Sequence, residues 1–216
     1  MHIITKKVTL KPAPFVGTTI TVRVGEGLMF KLRRATLADG CDKITVDWGD
    51  GSESTVFDST IGAAEHVYQA QGEYAIRISD DISRLIIGHS NSASEYSSVY
   101  APMVSGFTSN ATRLTAITNH CFHNCRNLSR FDISKSAVSE IAASSFIDCA
   151  ALSGDLDFPK VDNITGEDYS LPFGGCPNIT GLHFSLSNRA VIESLPVWEI
   201  SNHNLGAENA TVFFDL

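Results

Sequence analysis

The densest group of potential metal ligands is the hexapeptide 120–125, His-Cys-Phe-His-Asn-Cys. Zinc prefers these ligand types, but structural zinc sites combine two separated clusters of ligands. The sequence offers no second cluster of this kind. The preferred interpretation therefore places Phe122 and Cys125 inside the protein and His120 and His123 toward solvent. No metal or other cofactor is predicted.

Four aspartates form a second candidate metal site: Asp47, Asp50, Asp80 and Asp81. Calcium takes about six to eight oxygen ligands, and carboxylates supply them. The sequence lacks the Asp-x-Asp-x-Asp-Gly loop that would gather these residues around one ion. Because aspartate is common in turns for its own hydrogen-bonding reasons, a turn-forming role is preferred over calcium binding.

Catalysis finds no support in the residue pattern. The Gly-x-Ser-x-Gly turn that exposes a nucleophilic serine is absent. The cysteines occupy positions predicted to be buried, where a thiol is inert. Glu167 and Asp168 are adjacent acids in a predicted loop, and nothing there would separate their roles into acid and base. The chain is therefore predicted not to be an enzyme.

Composition excludes further classes of function. The 216 residues include 16 basic and 24 acidic side chains, and the net charge of −8 disfavours nucleic acid as a partner. No apolar stretch approaches the ~20 residues of a membrane helix, so no membrane insertion is predicted. The first residues lack the apolar segment of a signal peptide. Five cysteines cannot close a complete set of disulfides.

The first 88 residues show the alternation of apolar and polar side chains that is typical of half-buried strands. Such runs lie at 7–11, 19–24, 28–32, 44–48, 74–78 and 85–87. Short alternating runs separated by Gly, Pro and Asp turns indicate antiparallel strands. Their number predicts a small β-sandwich.

A repeat with a period of 24 residues follows. Residues 117–128 align with 141–152, and both place Ile, Phe, Cys and Leu at the same spacing. A third copy contains the same Phe-x-x-Cys after four extra residues. The aligned pairs are Phe122 with Cys125, Phe146 with Cys149, and Phe173 with Cys176. A period in this range is typical of leucine-rich repeats, whose units stack into a solenoid.

The segments that flank the repeats are predicted to cover the ends of this solenoid. A short helix at 187–195 and a strand at 210–216 form the C-terminal cap. Residues 89–113 are too apolar for a free linker and form the N-terminal cap. The predicted domains are a sandwich at 1–88 and a repeat domain at 89–216, with its caps at 89–113 and 187–216 and its repeats at 114–186.

The Trp-Gly-Asp-Gly segment at 48–51, followed by His-x-Tyr and Gly-x-Tyr, resembles the polycystic-kidney-disease (PKD) type of immunoglobulin-like domain. The residues that carry this resemblance are Trp48, Asp50, His66, Tyr68, Gly72 and Tyr74. The resemblance implies a sandwich in which Trp48 anchors the core and Asp50 lies in a tight turn.

The Phe-x-x-Cys-x-x-aliphatic repeat at 114–184 resembles the BspA type of leucine-rich repeat. Such repeats are common on bacterial surfaces, and a PKD-like domain directly before them is a recurrent pairing. The two resemblances imply a non-catalytic adhesion module of a cell-surface or secreted bacterial protein, which contacts a host or environmental protein or glycan through its repeat face. Arg130, Asp132 and His183 are the predicted contact residues.

Two alternative functions remain open. The lack of a recognisable signal peptide favours a structural component of a phage or surface assembly. Such a component would be located in the phage particle or the cytoplasm. The kinds of protein in which PKD-like domains often occur favour an accessory module for carbohydrate adhesion. All three share one expected fold, mixed β and α/β: an antiparallel β-sandwich of the PKD or immunoglobulin type followed by a short capped leucine-rich-repeat solenoid.

Overall fold

The computed structural model describes residues 14–91, 93–167 and 170–216, so the predicted strand at 7–11 lies outside the described residues. Only 11% of the residues are helical, and β-strands dominate. The strands are β1 (Gly17–Val24), β2 (Met29–Leu32), β3 (Arg34–Leu37), β4 (Ile44–Asp47), β5 (Thr55–Phe57), β6 (Ala64–Val67), β7 (Gly72–Ser79), β8 (Ile82–Ile86), β9 (Val104–Ser109), β10 (Ala116–Ile117), β11 (Arg130–Asp132), β12 (Glu140–Ile141), β13 (Ser153–Phe158), β14 (Asn163–Ile164), β15 (Asn178–Ser185) and β16 (Thr211–Asp215).

The helices are short. Two α-helices, α1 (Arg189–Glu193) and α2 (Pro196–Ile200), lie between β15 and β16. Within the helix predicted at 187–195 only 189–193 is α-helical, and Pro196 is the first residue of α2, where its missing N–H needs no partner. Single turns of other helix types occur at Tyr96–Tyr100, Ala101–Met103 and Leu186–Asn188. No helix of the described residues is long and apolar enough to cross a membrane.

The strands form several mixed sheets. One sheet has the order β11-β9-β1-β7-β4-β5 and another the order β14-β12-β10-β8-β3. Smaller sheets have the orders β13-β15-β16 and β2-β6. Both large sheets combine strands from before and after residue 88, because β9 pairs antiparallel with β1 and β10 pairs parallel with β8.

The predicted sandwich followed by a capped solenoid is therefore wrong. In the described part of the chain, strands of the repeat segment extend sheets that begin before residue 88, and no solenoid is formed. The physical reason is that strand edges carry unpaired backbone groups, and β9 and β10 satisfy those of β1 and β8. Segment 89–113, expected to be a cap, contributes β9 to the six-stranded sheet.

The 24-residue register is visible in the phenylalanine side chains of the core. Phe122, Phe146 and Phe173 are fully buried. Their rings stack in order, with centroids 5.2 and 4.9 Å apart and planes inclined by 20° and 12°. Aromatic pairs of this kind contribute roughly 0.5–1.5 kcal/mol each beyond the area that they bury.

The cysteines of the repeat lie in the same core. Cys125, Cys149 and Cys176 are buried and form no disulfide, as the repeat alignment predicts. The Cys149 thiol donates to the carbonyl of Phe122 (3.1 Å), and the Cys176 thiol donates to the carbonyl of Phe146 (3.0 Å). Each thiol thus joins its own repeat unit to the preceding one.

The PKD-like residues of the first half gather around Trp48. The indole is 1% exposed, and its Nε1 donates to Thr55 Oγ1 (2.9 Å). The His66 ring stacks on it, with centroids 4.9 Å apart and planes inclined by 5°. Tyr68 is equally buried, meets His66 edge-on, and donates its hydroxyl to the Trp48 carbonyl (3.2 Å).

Asp50 completes this cluster from the turn that follows β4. The His66 Nε2 donates to Asp50 Oδ2 (2.7 Å), and Ser52 donates through its N–H and its hydroxyl to Asp50 Oδ1. Partial burial opposes ionisation, but these hydrogen bonds lower the pKa of Asp50 to about 2. Gly49 shapes the turn, because its φ is +80° and a Cβ there would lie 2.5 Å from the carbonyl oxygen of Ala75.

The remaining PKD-like residues extend the cluster along β7. Gly72 is the first residue of this strand. The Tyr74 ring stacks on that of Tyr68 at 4.1 Å, and its hydroxyl donates to the carbonyl of Ala70 (2.7 Å). Five of the six residues that carry the PKD resemblance, all but Gly72, therefore connect the turn after β4 with β6 and β7.

Candidate binding face

The three predicted contact residues lie on strands of the repeat segment. Arg130 and Asp132 are the first and last residues of β11, and both are exposed. His183 lies in β15, the central strand of the three-stranded parallel sheet, where it is half-buried.

His183 lies at the centre of a cluster on the outer surface of this sheet. Its Nδ1 donates to Asp215 Oδ2 (2.6 Å), and its ring stacks on that of Phe213, with centroids 4.5 Å apart and planes inclined by 18°. The Nε2 is 3.8 Å from Asp155 Oδ2 and has no hydrogen-bond partner among the described residues. Because Nδ1 carries the bonded proton, Nε2 of the neutral ring is an acceptor. Thr180 fixes Asp155 by donating its hydroxyl to Oδ1 (2.7 Å).

Strand alternation and register produce this arrangement. In β13, Asp155 and Asp157 point outward while Leu156 and Phe158 are buried. Asp157 pairs with His183, and His183 pairs with the next strand, so these side chains share one face. We name the outward side chains of Asp155, Asp157, His183, Phe213 and Asp215 the His183 face.

Gly181 leaves the space that the cluster needs. A Cβ at this position would lie 2.7 Å from Asp155 Oδ1 and 2.9 Å from His183 Nε2. No side chain fits there without moving one of the two, since real Cβ contacts are not this short. A glycine in the middle of a strand thus marks the point where Asp155 and His183 approach each other.

A concavity of about 270 Å³ opens at the carboxyl ends of these strands. Its walls include Ser134, Asp157, His183 and Asp215. Asp132 orients Ser134, since its Oδ1 accepts from the Ser134 N–H (2.9 Å) and hydroxyl (2.7 Å). Of the predicted contact residues, only His183 lines this concavity; Asp132 lines another, of about 240 Å³, together with Phe15, Thr19 and Lys135.

Arg130 lies elsewhere. Together with Thr21, Arg23 and Glu73 it lines a small trough of about 80 Å³ beside β1. The structure thus places Arg130, Asp132 and His183 in the walls of three separate depressions. Sequence reasoning missed Phe213, Asp215 and Asp155. The alternation within 153–158 and 211–215 could have revealed that they point outward.

Three of the four aspartates considered for calcium have separate hydrogen-bonding roles. Asp50 binds His66, as described above, and Asp47 Oδ1 accepts from the Gly49 N–H (2.9 Å). Asp80 Oδ1 accepts from the backbone N–H groups of Thr112 and Arg113. In the part of the chain that the structure describes, no group of three or more His, Cys, Asp or Glu side chains could hold a metal ion.

The hexapeptide 120–125 contains two buried thiols, one half-buried imidazole and one buried imidazole. Cys121 and Cys125 are fully buried, and burial raises the pKa of both thiols. His120 is half-buried, whereas His123, expected to face solvent, is only 9% exposed. Burial lowers the pKa of both imidazoles. The Nδ1 atoms of the two rings lie 3.2 Å apart.

Comparison with protein-family models, with curated protein sequences and with solved structures gave no match for this chain. The candidate sites therefore rest on the geometry described above.

Proposed function

We propose that the chain is a non-catalytic binding module of a bacterial cell-surface or secreted protein. It contacts a macromolecular partner, a protein or a glycan, through the His183 face. One observation carries this proposal: Phe213 is 41% exposed on a sheet surface, stacked on a histidine that Asp215 holds in place. An exposed aromatic ring in a fixed position is typical of the anchor residues of interfaces.

The surroundings of His183 favour binding over catalysis. Its Nδ1 is occupied by Asp215, and among the described residues no serine, threonine or cysteine lies within hydrogen-bond distance of Nε2. A histidine that activates a nucleophile needs such a neighbour. The described repeat thiols are buried, so they cannot supply the nucleophile.

The charge of the face favours a partner with a basic surface. Asp155, Asp157 and Asp215 point outward around the aromatic pair, and the whole chain has a net charge of −8. Complementary charge accelerates association and selects the partner, and its effect weakens as salt screens it. We therefore propose a basic protein segment as the partner in preference to a glycan.

The test is a peptide-display selection on the wild-type chain, run beside a glycan array. We expect selected peptides to be rich in Lys and Arg and to lose at least tenfold in affinity when Phe213 is replaced by alanine. Phe15→Ala is the matched control, because Phe15 is also 41% exposed but lines a different concavity. Binders that tolerate Phe213→Ala and His183→Ala would contradict the proposal. If a glycan binds and Phe213→Ala abolishes that binding, the His183 face remains the proposed site and the partner is a glycan instead of a protein.

A second proposal is a structural role in a phage or surface assembly. The observation that favours it is the position of β16, which is terminal in its sheet and, among the described strands, pairs only with β15. An open strand edge is a template for pairing with another chain. Light scattering across a concentration series tests this role, since assembly predicts a mass that rises with concentration and a proline at Val212 should abolish that rise.

A further inference from the structure

His120 and His123 lie on one turn with their imidazoles turned toward each other. The Nδ1 atoms are 3.2 Å apart, the ring centroids 5.3 Å apart, and the ring planes are inclined by 46°. Among the described residues, neither imidazole makes another side-chain hydrogen bond. Each ring therefore presents its Nδ1 to the same point between them.

We propose that His120 and His123 together bind one divalent transition-metal ion through their Nδ1 atoms, and that water completes the coordination. Metal–imidazole bonds to zinc are about 2.0–2.1 Å long, so two nitrogens at a tetrahedral angle lie roughly 3.3–3.4 Å apart. The observed separation of 3.2 Å is close to this value. Small rotations of the two rings suffice to direct both lone pairs at one ion.

The protons balance without a further reactant. In the free protein one Nδ1 carries the proton that bridges the two rings, and the other accepts it. On metal binding, the donor ring moves to the tautomer with its proton on Nε2. Both rings then present an Nδ1 lone pair as neutral imidazoles, with no net change in bound protons.

The repeat itself shows that the fold does not require this pair. The left-handed backbone at His120 (φ 59°) recurs at Ser144 (φ 58°), so the turn shape belongs to the repeat and not to the imidazole. The positions of the two histidines hold Ser144 and Ile147 in the second repeat, and Leu171 and Gly174 in the third. Two facing imidazoles thus occur in one unit only, at positions where the fold accepts aliphatic residues or serine.

The turn is fixed before any ligand binds. The N–H groups of Ile87 and Gly88 both donate to the Cys121 carbonyl, at 2.9 and 2.8 Å. Gly88 packs so closely on the turn that a Cβ there would lie 2.5 Å from the His123 carbonyl oxygen. A chelating pair on a fixed turn loses little conformational freedom on binding an ion.

Three neighbouring groups are unsuited to act as further ligands. His89 accepts from the Asn91 N–H through Nδ1 (2.9 Å), so its neutral ring has its proton on Nε2 and offers no free lone pair. Cys121 and Cys125 are fully buried. We assign the remaining positions of the ion to water, which reaches the pair past the half-buried ring of His120. Imidazole ligands favour Cu²⁺ over Ni²⁺ and Zn²⁺, whereas Ca²⁺ and Mg²⁺ prefer oxygen ligands.

The experiment is a calorimetric titration with Cu²⁺, Ni²⁺, Zn²⁺ and Mg²⁺, each alone in a buffer that binds no metal. All chains carry His2→Ala, so that the histidine beside the N-terminus does not contribute. The test variants are His120→Ser, His123→Ile and the double variant, which place the residues of the second repeat in the first. The controls are His89→Ala and His203→Ala. Thermal unfolding verifies that every variant folds.

We expect one Cu²⁺ per chain, weaker Zn²⁺ binding and no Mg²⁺ binding. Each test variant should lower the Cu²⁺ affinity at least tenfold, while the two controls stay within twofold of the parent chain. A folded double variant with unchanged Cu²⁺ affinity would overturn the proposal. So would a control variant that removes the binding.

Discussion

Two regions of this molecule contain the same three groups, a histidine, an aspartate and an aromatic ring, in different surroundings. His66 stacks on Trp48 and donates to Asp50, and His183 stacks on Phe213 and donates to Asp215. In the first cluster the indole is 1% exposed, and in the second the phenyl ring is 41% exposed.

The clusters differ in the exposure of the aromatic ring and of the carboxylate, whereas the two histidine side chains are similarly exposed, at 17% and 22%. In the first cluster the buried ring of Tyr68 packs against the His66 ring, and the side chain of Asp50 is 13% exposed. In the second, the side chain of Asp215 is 56% exposed and the outer surface of the sheet is uncovered. Buried polar groups with satisfied hydrogen bonds stabilise a fold, whereas the same groups at a surface add little stability and remain available to a partner. The residue types alone do not distinguish the cluster around His66 from the cluster around His183.

The largest expected effect follows the loss of the buried ring. Trp48→Ala should lower the free energy of unfolding by about 3–5 kcal/mol, the range for deleting a buried large aromatic side chain. Denaturant unfolding measures it. Trp198→Ala is the matched control, since this half-buried tryptophan stacks on His203 and should cost clearly less. A loss below about 1 kcal/mol for Trp48→Ala would mean that the indole is not a core anchor.

The next effect concerns the two carboxylates. The pKa of Asp50 is lowered to about 2, so its ionised form stabilises the folded state by about 2 kcal/mol at neutral pH. Because the folded pKa lies below the unfolded one, this stability is present above about pH 4 and is lost as the pH falls toward 2. Unfolding free energies from pH 7 to pH 2 should show that loss in the parent chain and not in Asp50→Asn.

Asp215→Asn is the control for this series. Its carboxylate is more than half exposed, and exposed ion pairs contribute less than about 1 kcal/mol. The clusters would not differ in the way we describe if Asp215→Asn cost as much stability as Asp50→Asn.

A smaller effect on stability is expected from Phe213→Ala. Replacing a ring that is already 41% exposed should cost less than about 1 kcal/mol, as for other surface positions. The affinity for a selected partner should nevertheless fall at least tenfold. Parallel denaturant and binding measurements separate the two effects, and a loss of stability comparable with that of Trp48→Ala would count against an interface role.

The smallest change in stability is expected from Gly181→Ala. The new Cβ would displace the Asp155 carboxylate or the His183 ring, and both are ends of side chains that can move outward. We expect a stability change below about 1 kcal/mol and a several-fold loss of partner affinity. An unchanged affinity would show that the approach of Asp155 to His183 has no part in recognition.

Much of the local structure was predictable from residue patterns. Alternating runs located β1, β2, β4, β7 and β8, and the repeat predicted the burial of Cys125, Cys149 and Cys176. The repeat also aligned Phe122, Phe146 and Phe173, whose rings stack in the structure. These features depend on side chains a few residues apart or on one fixed period. The pairing of β9 with β1 and of β10 with β8 joins distant segments, and strand periodicity does not specify partners.

The candidate sites were predictable only in part. His183 was expected at an interface because it lies on an exposed strand, but Phe213 and Asp215 come from a strand that was assigned to a cap. The clustering of His120 and His123 was evident from the sequence. Their Nδ1 separation of 3.2 Å depends on a left-handed backbone and on packing against Gly88, and spacing alone specifies neither.

The most direct test compares His66→Ala with His183→Ala in two assays, the free energy of unfolding and the affinity for a selected partner. We predict that His66→Ala lowers the free energy of unfolding by about 2 kcal/mol or more, because it leaves Asp50 Oδ2 without its hydrogen-bond donor and removes the ring stacked on Trp48. The affinity of the folded variant should be unchanged. His183→Ala should change the free energy of unfolding by less than about 1 kcal/mol and lower the affinity at least tenfold. Equal losses of stability in both variants, or unchanged affinity in His183→Ala, would contradict the division between a structural and a binding cluster.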